Sequence, residues 1–156
     1  MQAAETGVIT AEMGCDGSKG MVLYGNGAML QNPIMNENKD DGKLHMDGSE
    51  VFKFAVRRIP ETIHATLKKA NKKETEIDYF ILHQANRRII EAAARRLNLP
   101  IEKFPMNIEK YGNLAAASVP MLLDELNRSG QIKSGQLLMI SAFGGGLSWG
   151  STLLEW

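Results

Sequence analysis

One cysteine in 156 residues excludes an internal disulfide, and with it the stapled scaffolds of small secreted domains. No apolar run approaches the roughly 18 residues needed to span a bilayer, so no membrane association is expected. Met1-Gln2-Ala3-Ala4-Glu5 lacks a basic stretch followed by an apolar one, so no signal peptide is expected either, and the location expected is cytoplasmic. Aromatic residues make up only 6% and are not interleaved with the basic ones, which argues against a nucleic-acid partner. No Gly-x-Ser-x-Gly, Gly-x-Gly-x-x-Gly or phosphate-loop pattern occurs. His45 and His64 have no Cys or carboxylate at ligand spacing, so no metal site is expected. The lone thiol, Cys15, sits between Gly14 and Asp16, with no helix start or basic neighbour to activate it. It reads as a bystander, and the chain therefore lacks an obvious nucleophile.

What is present suits one globular domain with a real core: 44% apolar and 23% charged residues. The net charge of zero hides an asymmetry. Residues 1–52 carry three Lys/Arg against eight Asp/Glu, residues 53–103 twelve against six, and residues 104–156 three against four. The basic middle third is either a set of solvated helix faces or a surface for an acidic partner.

Periodicity orders the elements. Val8 to Met13 alternates and reads as a strand ending at Gly14. Residues 15–46 are rich in Gly, Asn and Asp and read as a long loop with a short hairpin around Met21 to Leu23. Asp47-Gly48-Ser49-Glu50 reads as a capping box opening a helix. Phe52, Val56, Ile59, Ile63, Leu67 and Ala70 form its apolar face, and Pro60 kinks it without ending it. Ile77 to Leu82 is a strand expected at the centre of a sheet. Asn86 caps a helix to Leu97 with Ile90, Ala93, Ala94 and Leu97 inward. Pro105 to Ile108 is a short extended piece. A helix runs from near Asn113 to Asn127 and Gly130 stops it. Leu137 to Ala142 is a buried strand, and Leu147 to Leu154 its hairpin neighbour. The order implies an α/β fold, parallel crossovers closed by an antiparallel hairpin.

Three polar segments punctuate the ends of these elements: His83-Gln84-Ala85-Asn86, Tyr111-Gly112-Asn113, and Phe143-Gly144-Gly145-Gly146. Each is open to two readings. His83 is a structural histidine, or a donor at the strand edge where ligands bind in open α/β sheets. Asn113 is an N-cap, or a carboxamide donor. The glycines make a hairpin, or bring a backbone N–H against a ligand as an oxyanion hole requires.

Those segments, with Ala116-Ala117-Ser118-Val119-Pro120, Trp149-Gly150 and Met46 to Phe52, resemble the C-terminal half of the β-ketoacyl-[acyl-carrier-protein] synthase III family, within the thiolase superfamily. The resemblance runs from about Val8 to Trp156; Leu114 departs from the Thr that many members carry there. It implies one half of a thiolase-like fold, a mixed five-stranded sheet with helices on both faces, residues 1–156 forming one domain. The family's nucleophilic cysteine lies in an N-terminal half that this chain does not contain. The resemblance implies an acyltransferase that condenses acyl-CoA with malonyl-acyl carrier protein, with decarboxylation, in fatty acid biosynthesis. His83 and Asn113 would hydrogen-bond the thioester oxygen and stabilise the enolate, and Gly145 would join the oxyanion hole. Phe143 would line the cavity, and Gly48 and Asn86 would contact the pantetheine arm. Arg88, Arg95 and Arg96 would meet the acidic carrier protein. No cofactor is implied beyond the CoA and carrier thioesters. The implied partners are acyl carrier protein, acyl-CoA, the N-terminal half and, for the full protein, a second copy. Two alternatives stand beside this: a related condensing enzyme of secondary metabolism, and a catalytically silent carrier- or CoA-binding module.

Overall fold

The computed structural model describes residues 7–25 and 43–156. Strand β1 is Gly7–Cys15, followed by a 3₁₀ segment over Gly17–Val22. Strands β2 (Leu23–Gly25) and β3 (Leu44–Met46) pair antiparallel as a small separate ribbon. The hairpin expected around Met21 to Leu23 is thus replaced by a pairing with a distant segment, and the rest of the expected loop, 26–42, lies outside the described residues.

Helix α1, Gly48–Ala70, opens where expected. Asp47 accepts from the N–H groups of Ser49 and Glu50, neutralising donors that a helix start leaves unpaired. The box is not reciprocal: the Asp47 N–H goes to the Val22 carbonyl at 2.9 Å, and Glu50 binds Lys53 instead. The helix continues through Pro60 to Asn71, whose left-handed backbone ends it. Its buried face is wider than the expected stripe. Val51, Phe54, Ala55, Ile59, Ile63 and Leu67 are buried, whereas Phe52, Val56 and Ala70 lie at its margin.

Strand β4 (Tyr79–Leu82) pairs parallel with β5 (Leu137–Gly144), which pairs antiparallel with β6 (Ser148–Glu155); β6 pairs with β1. The sheet of described residues is therefore mixed and has four strands, in the order β1-β6-β5-β4, not five. The missing strand is the extended piece at Pro105. Pro105 has no N–H to give a ladder, the N–H of Asn107 donates to the Gln84 side chain at 3.2 Å, and Ile108 already begins the short helix α3, Ile108–Tyr111. A second correction concerns β4, which ends this sheet and is not central to it. Phe80, Ile81 and Leu82 are buried all the same, because helices cover both faces.

On one face, α1 and α2 (Arg87–Leu97) pack on Phe80, Leu82, Met139 and Leu153. On the other, α4 (Ser118–Arg128) sets Leu122 and Leu126 against Ile81 and Leu138. Each fully buried Ile, Leu or Phe contributes about 1.5–3 kcal/mol of apolar transfer. One polar pair crosses the first core: Thr66 on α1 and Ser151 on β6 share a 2.7 Å hydroxyl contact. Helix α4 starts five residues later than the Asn113 expected from periodicity. Ala115 takes a positive φ of 48°, which breaks the helix register before Ser118. Its third residue is Pro120, which a first turn tolerates.

Candidate active site

The parallel pair β4–β5 brings two chain reversals to the same end of the sheet, His83 after β4 and Phe143-Gly144 at the end of β5. The N–H of His83 extends the ladder to the Ser141 carbonyl at 2.9 Å. Asn86 then caps α2, accepting from the Arg88 N–H at 2.8 Å. The turn after α3 delivers Asn113 to the same region, and the start of α1 delivers Gly48.

These segments enclose a cavity of about 1170 Å³. His83, Asn113, Gly145, Gly48, Asn86, Phe143 and Arg88 all line it. Arg95 and Arg96 do not: they are exposed in the last turn of α2, so the structure separates them from the cavity that Arg88 edges. Arg88 and Arg95 are seven residues apart, close to two helical turns, and so share a face. The Arg88 guanidinium lies 5.2 Å from the centre of the Phe52 ring.

His83 is half-buried, with its ring edge-on to Phe143 at 5.5 Å. Burial pushes its imidazole below the ordinary value of 6.5, because a low dielectric disfavours the charged form, which favours the neutral ring. Its Nδ1 lies 2.6 Å from the Ser118 hydroxyl, which leaves Nε2 for the cavity. Asn113 is not an N-cap of α4. Its Oδ1 accepts from the Ala115 N–H at 2.9 Å, a tight Asx-type turn. With the carbonyl so engaged, the NH₂ group is the free end of the carboxamide. The two side chains thus each commit one polar atom to the protein and keep another for a ligand.

The glycine turn reaches back to the β2–β3 ribbon. A Cβ on Gly145 would stand 3.0 Å from the Leu23 carbonyl oxygen, so this close backbone approach leaves little room for a side chain. Leu147 is buried and exchanges two backbone hydrogen bonds with Asp16, at 2.8 and 3.0 Å, which anchors the turn. Cys15 is exposed and does not line the cavity. His64 pairs with Glu74 at 2.7 Å, and His45 stacks on Tyr24.

Sequence reasoning missed three residues that hold this site. Gln84 is fully buried; it donates to the Leu82 carbonyl at 2.8 Å and accepts from the Asn107 N–H. Glu125 receives Asn107, Lys110 and Tyr111 together. Ser118 holds His83. Gln84 and Ser118 stood inside segments that carry the resemblance but were given no role there, and Glu125 carried no signal.

Residues 67–156 match the family model described as "3-Oxoacyl-[acyl-carrier-protein (ACP)] synthase III C terminal". The chain belongs to the β-ketoacyl-[acyl-carrier-protein] synthase III family. A synthase III of Clostridioides difficile is 44% identical over 155 residues, 97% of this chain and 47% of the relative. One from Xylella fastidiosa is 42% identical over 157 residues, 97% of this chain and 46% of the relative. Among solved structures, the synthase III of Aquifex aeolicus superposes with a TM-score of 0.88 at 38% identity, covering all of this chain and 46% of that one. The Thermus thermophilus synthase III gives 0.87 at 36%, covering 99% and 47%. The chain spans about half the length of the synthase III relatives it matches. The fold is the synthase III, thiolase-like one. Among the described residues no helix is long and apolar enough to cross a membrane.

Proposed function

We propose that this chain is the C-terminal domain of a β-ketoacyl-acyl carrier protein synthase III, and that it supplies the decarboxylation donors for condensation of an acyl group with malonyl-acyl carrier protein. One observation carries the reading: His83 and Asn113 line a single cavity, each with one polar atom tied to the protein and one left free. A malonyl thioester held there breaks its carboxylate C–C bond, releases CO₂, and leaves an enolate whose negative oxygen lies between the two donors. Preorganised donors stabilise that charge more than the neutral thioester, which lowers the barrier. The enolate carbon then attacks the acyl thioester on a cysteine of the N-terminal half; the C–C bond forms and the cysteine sulfur leaves. The Gly145 amide would help hold the tetrahedral oxyanion, Phe143 would line the acyl and pantetheine space, and Gly48 and Asn86 would meet the pantetheine arm. Arg88, Arg95 and Arg96 would face an acidic carrier protein.

The same reading assigns the N-terminal half to the exposed apolar side that begins at Ala115-Ala116-Ala117 and continues through Met121, 37% exposed. It also assigns the full protein a homodimeric state and a cytoplasmic location. Among the described residues no cysteine lines the cavity, so the chain alone should form no acyl-enzyme: mass spectrometry after incubation with acetyl-CoA should show no adduct at Cys15.

The test uses the chain joined to an N-terminal half. His83→Ala and Asn113→Ala should each lower malonyl decarboxylation about 100- to 1000-fold while cysteine acylation stays largely intact. Decarboxylation at the wild-type rate in either variant would refute the assignment.

A further inference from the structure

A neutral imidazole carries one N–H, and the nitrogen that bears it decides what His83 can do. With the proton on Nε2, the ring donates into the cavity. With the proton on Nδ1, the ring presents a lone pair there and can only accept. The contacts of Ser118 bear on this choice.

Ser118 is the first residue of α4 and is 1% exposed. Its Oγ makes two contacts: with His83 Nδ1 at 2.6 Å and with the Gln84 backbone N–H at 3.3 Å. The Gln84 N–H is a donor, so it occupies a lone pair of the hydroxyl and cannot take its proton. A buried hydroxyl proton needs an acceptor, since leaving a buried polar group unpaired costs its full desolvation penalty. The acceptor the geometry provides is Nδ1. The opposite arrangement, Nδ1–H donating to Ser118, would give the hydroxyl oxygen two donors and leave its own proton without a partner.

We propose that Ser118 is a positioning residue: its hydroxyl donates to Nδ1, holds His83 in the Nε2–H tautomer, and aims that N–H into the cavity. The Gln84 N–H fixes the hydroxyl in turn, so two consecutive residues of the His83 segment hold one side chain of α4 between them. His83 is thereby a hydrogen-bond donor and not a general base. The consequence for turnover rests on the donor role proposed above for His83; the tautomer itself does not.

The 156-residue chain labelled with ¹⁵N-histidine tests the tautomer directly, without substrate. Long-range ¹H–¹⁵N correlation near neutral pH should show His83 Nε2 protonated and Nδ1 unprotonated but hydrogen-bonded. A protonated Nδ1 overturns the proposal. Ser118→Ala should move the Nδ1 resonance to that of an unbonded nitrogen, and Ser118→Thr, which keeps the hydroxyl, should restore it. An unmoved Nδ1 in Ser118→Ala would also overturn it. In the chain joined to its N-terminal half, Ser118→Ala should slow decarboxylation about 10- to 100-fold, the scale of a misplaced reacting group. The same substitution in a His83→Ala background should cost nothing further, because its effect passes through the imidazole. A full additional loss there would make Ser118 merely structural. Should His83→Ala itself leave decarboxylation unchanged, the functional reading fails while the tautomer result stands.

Discussion

The phenol of Tyr111 donates to the Glu125 carboxylate at 2.6 Å, tying the turn that presents Asn113 to the middle of α4. Asn107 and Lys110 add bonds of 2.7 and 2.9 Å to the same carboxylate. Three donors from one short segment converge on one group of a helix whose first residue also holds His83. Helix α4 is thus the common support of both proposed donors.

This convergence holds the Glu125 carboxyl down at about 2, against an ordinary 4.5, first through the Tyr111 hydroxyl and then through Asn107 and Lys110. A carboxyl depressed in the folded state stabilises it fully above the unfolded value, and the contribution is lost as pH falls from 4.5 toward 2. Glu125→Gln should therefore be less stable than the parent at neutral pH, with the gap closing as acid is added. Urea midpoints across that pH range measure it. A gap that stays constant down to about pH 2 would show that charge on Glu125 plays no part.

His83 has the opposite ionisation chemistry but the same direction of pH dependence. Its folded-state value lies below 6.5 because of burial, so the unfolded chain binds the proton first as pH drops. Stability is full above 6.5 and declines below it until the folded ring also protonates. His83→Gln should flatten that decline between about pH 7 and pH 5. If the variant loses as much stability as the parent over this range, the titrating groups lie elsewhere.

Arg88 edges the cavity, whereas Arg95 and Arg96 lie beyond it on α2. Charge reversal at Arg95 or Arg96 should weaken carrier-protein binding roughly fivefold to tenfold at low salt and leave CoA thioesters unaffected. Arg88→Glu should weaken both. Binding titrations at two salt concentrations separate the cases. Salt-independent losses at Arg95 and Arg96 would exclude a docking role.

Gly14 faces Trp149 across the β1–β6 ladder, and a Cβ there would stand 2.5 Å from the indole. The indole is also packed by the Arg58 guanidinium, 4.2 Å from its centre, and by Phe54 edge-on at 5.7 Å. Gly14→Ala should therefore destabilise by about 1–3 kcal/mol through overpacking. Chemical denaturation measures the shift, and an unchanged midpoint would mean that β1 moves freely against β6.

Local chemistry alone determined a good deal of this protein. Asp47 and Asn86 marked where α1 and α2 begin, because a cap is a hydrogen bond spanning two or three residues. The largely apolar run Leu137 to Ala142, interrupted only by Ser141, marked a buried strand, and His83, Asn113 and the glycine turn stood out at the ends of apolar segments. Tertiary structure decided the rest. Pro105 to Ile108 looked extended, yet it joins no sheet, because the Asn107 N–H found a Gln84 side chain that is distant in the chain. Asn113 had the composition of a helix start, but its carboxamide closes a turn on Ala115 and the helix begins at Ser118. The bond between His83 and Ser118 spans 35 positions, and no periodicity or spacing rule connects residues so far apart. Such contacts exist only once β4 and α4 are packed face to face, so the donors were legible in the sequence and the groups that hold them were not.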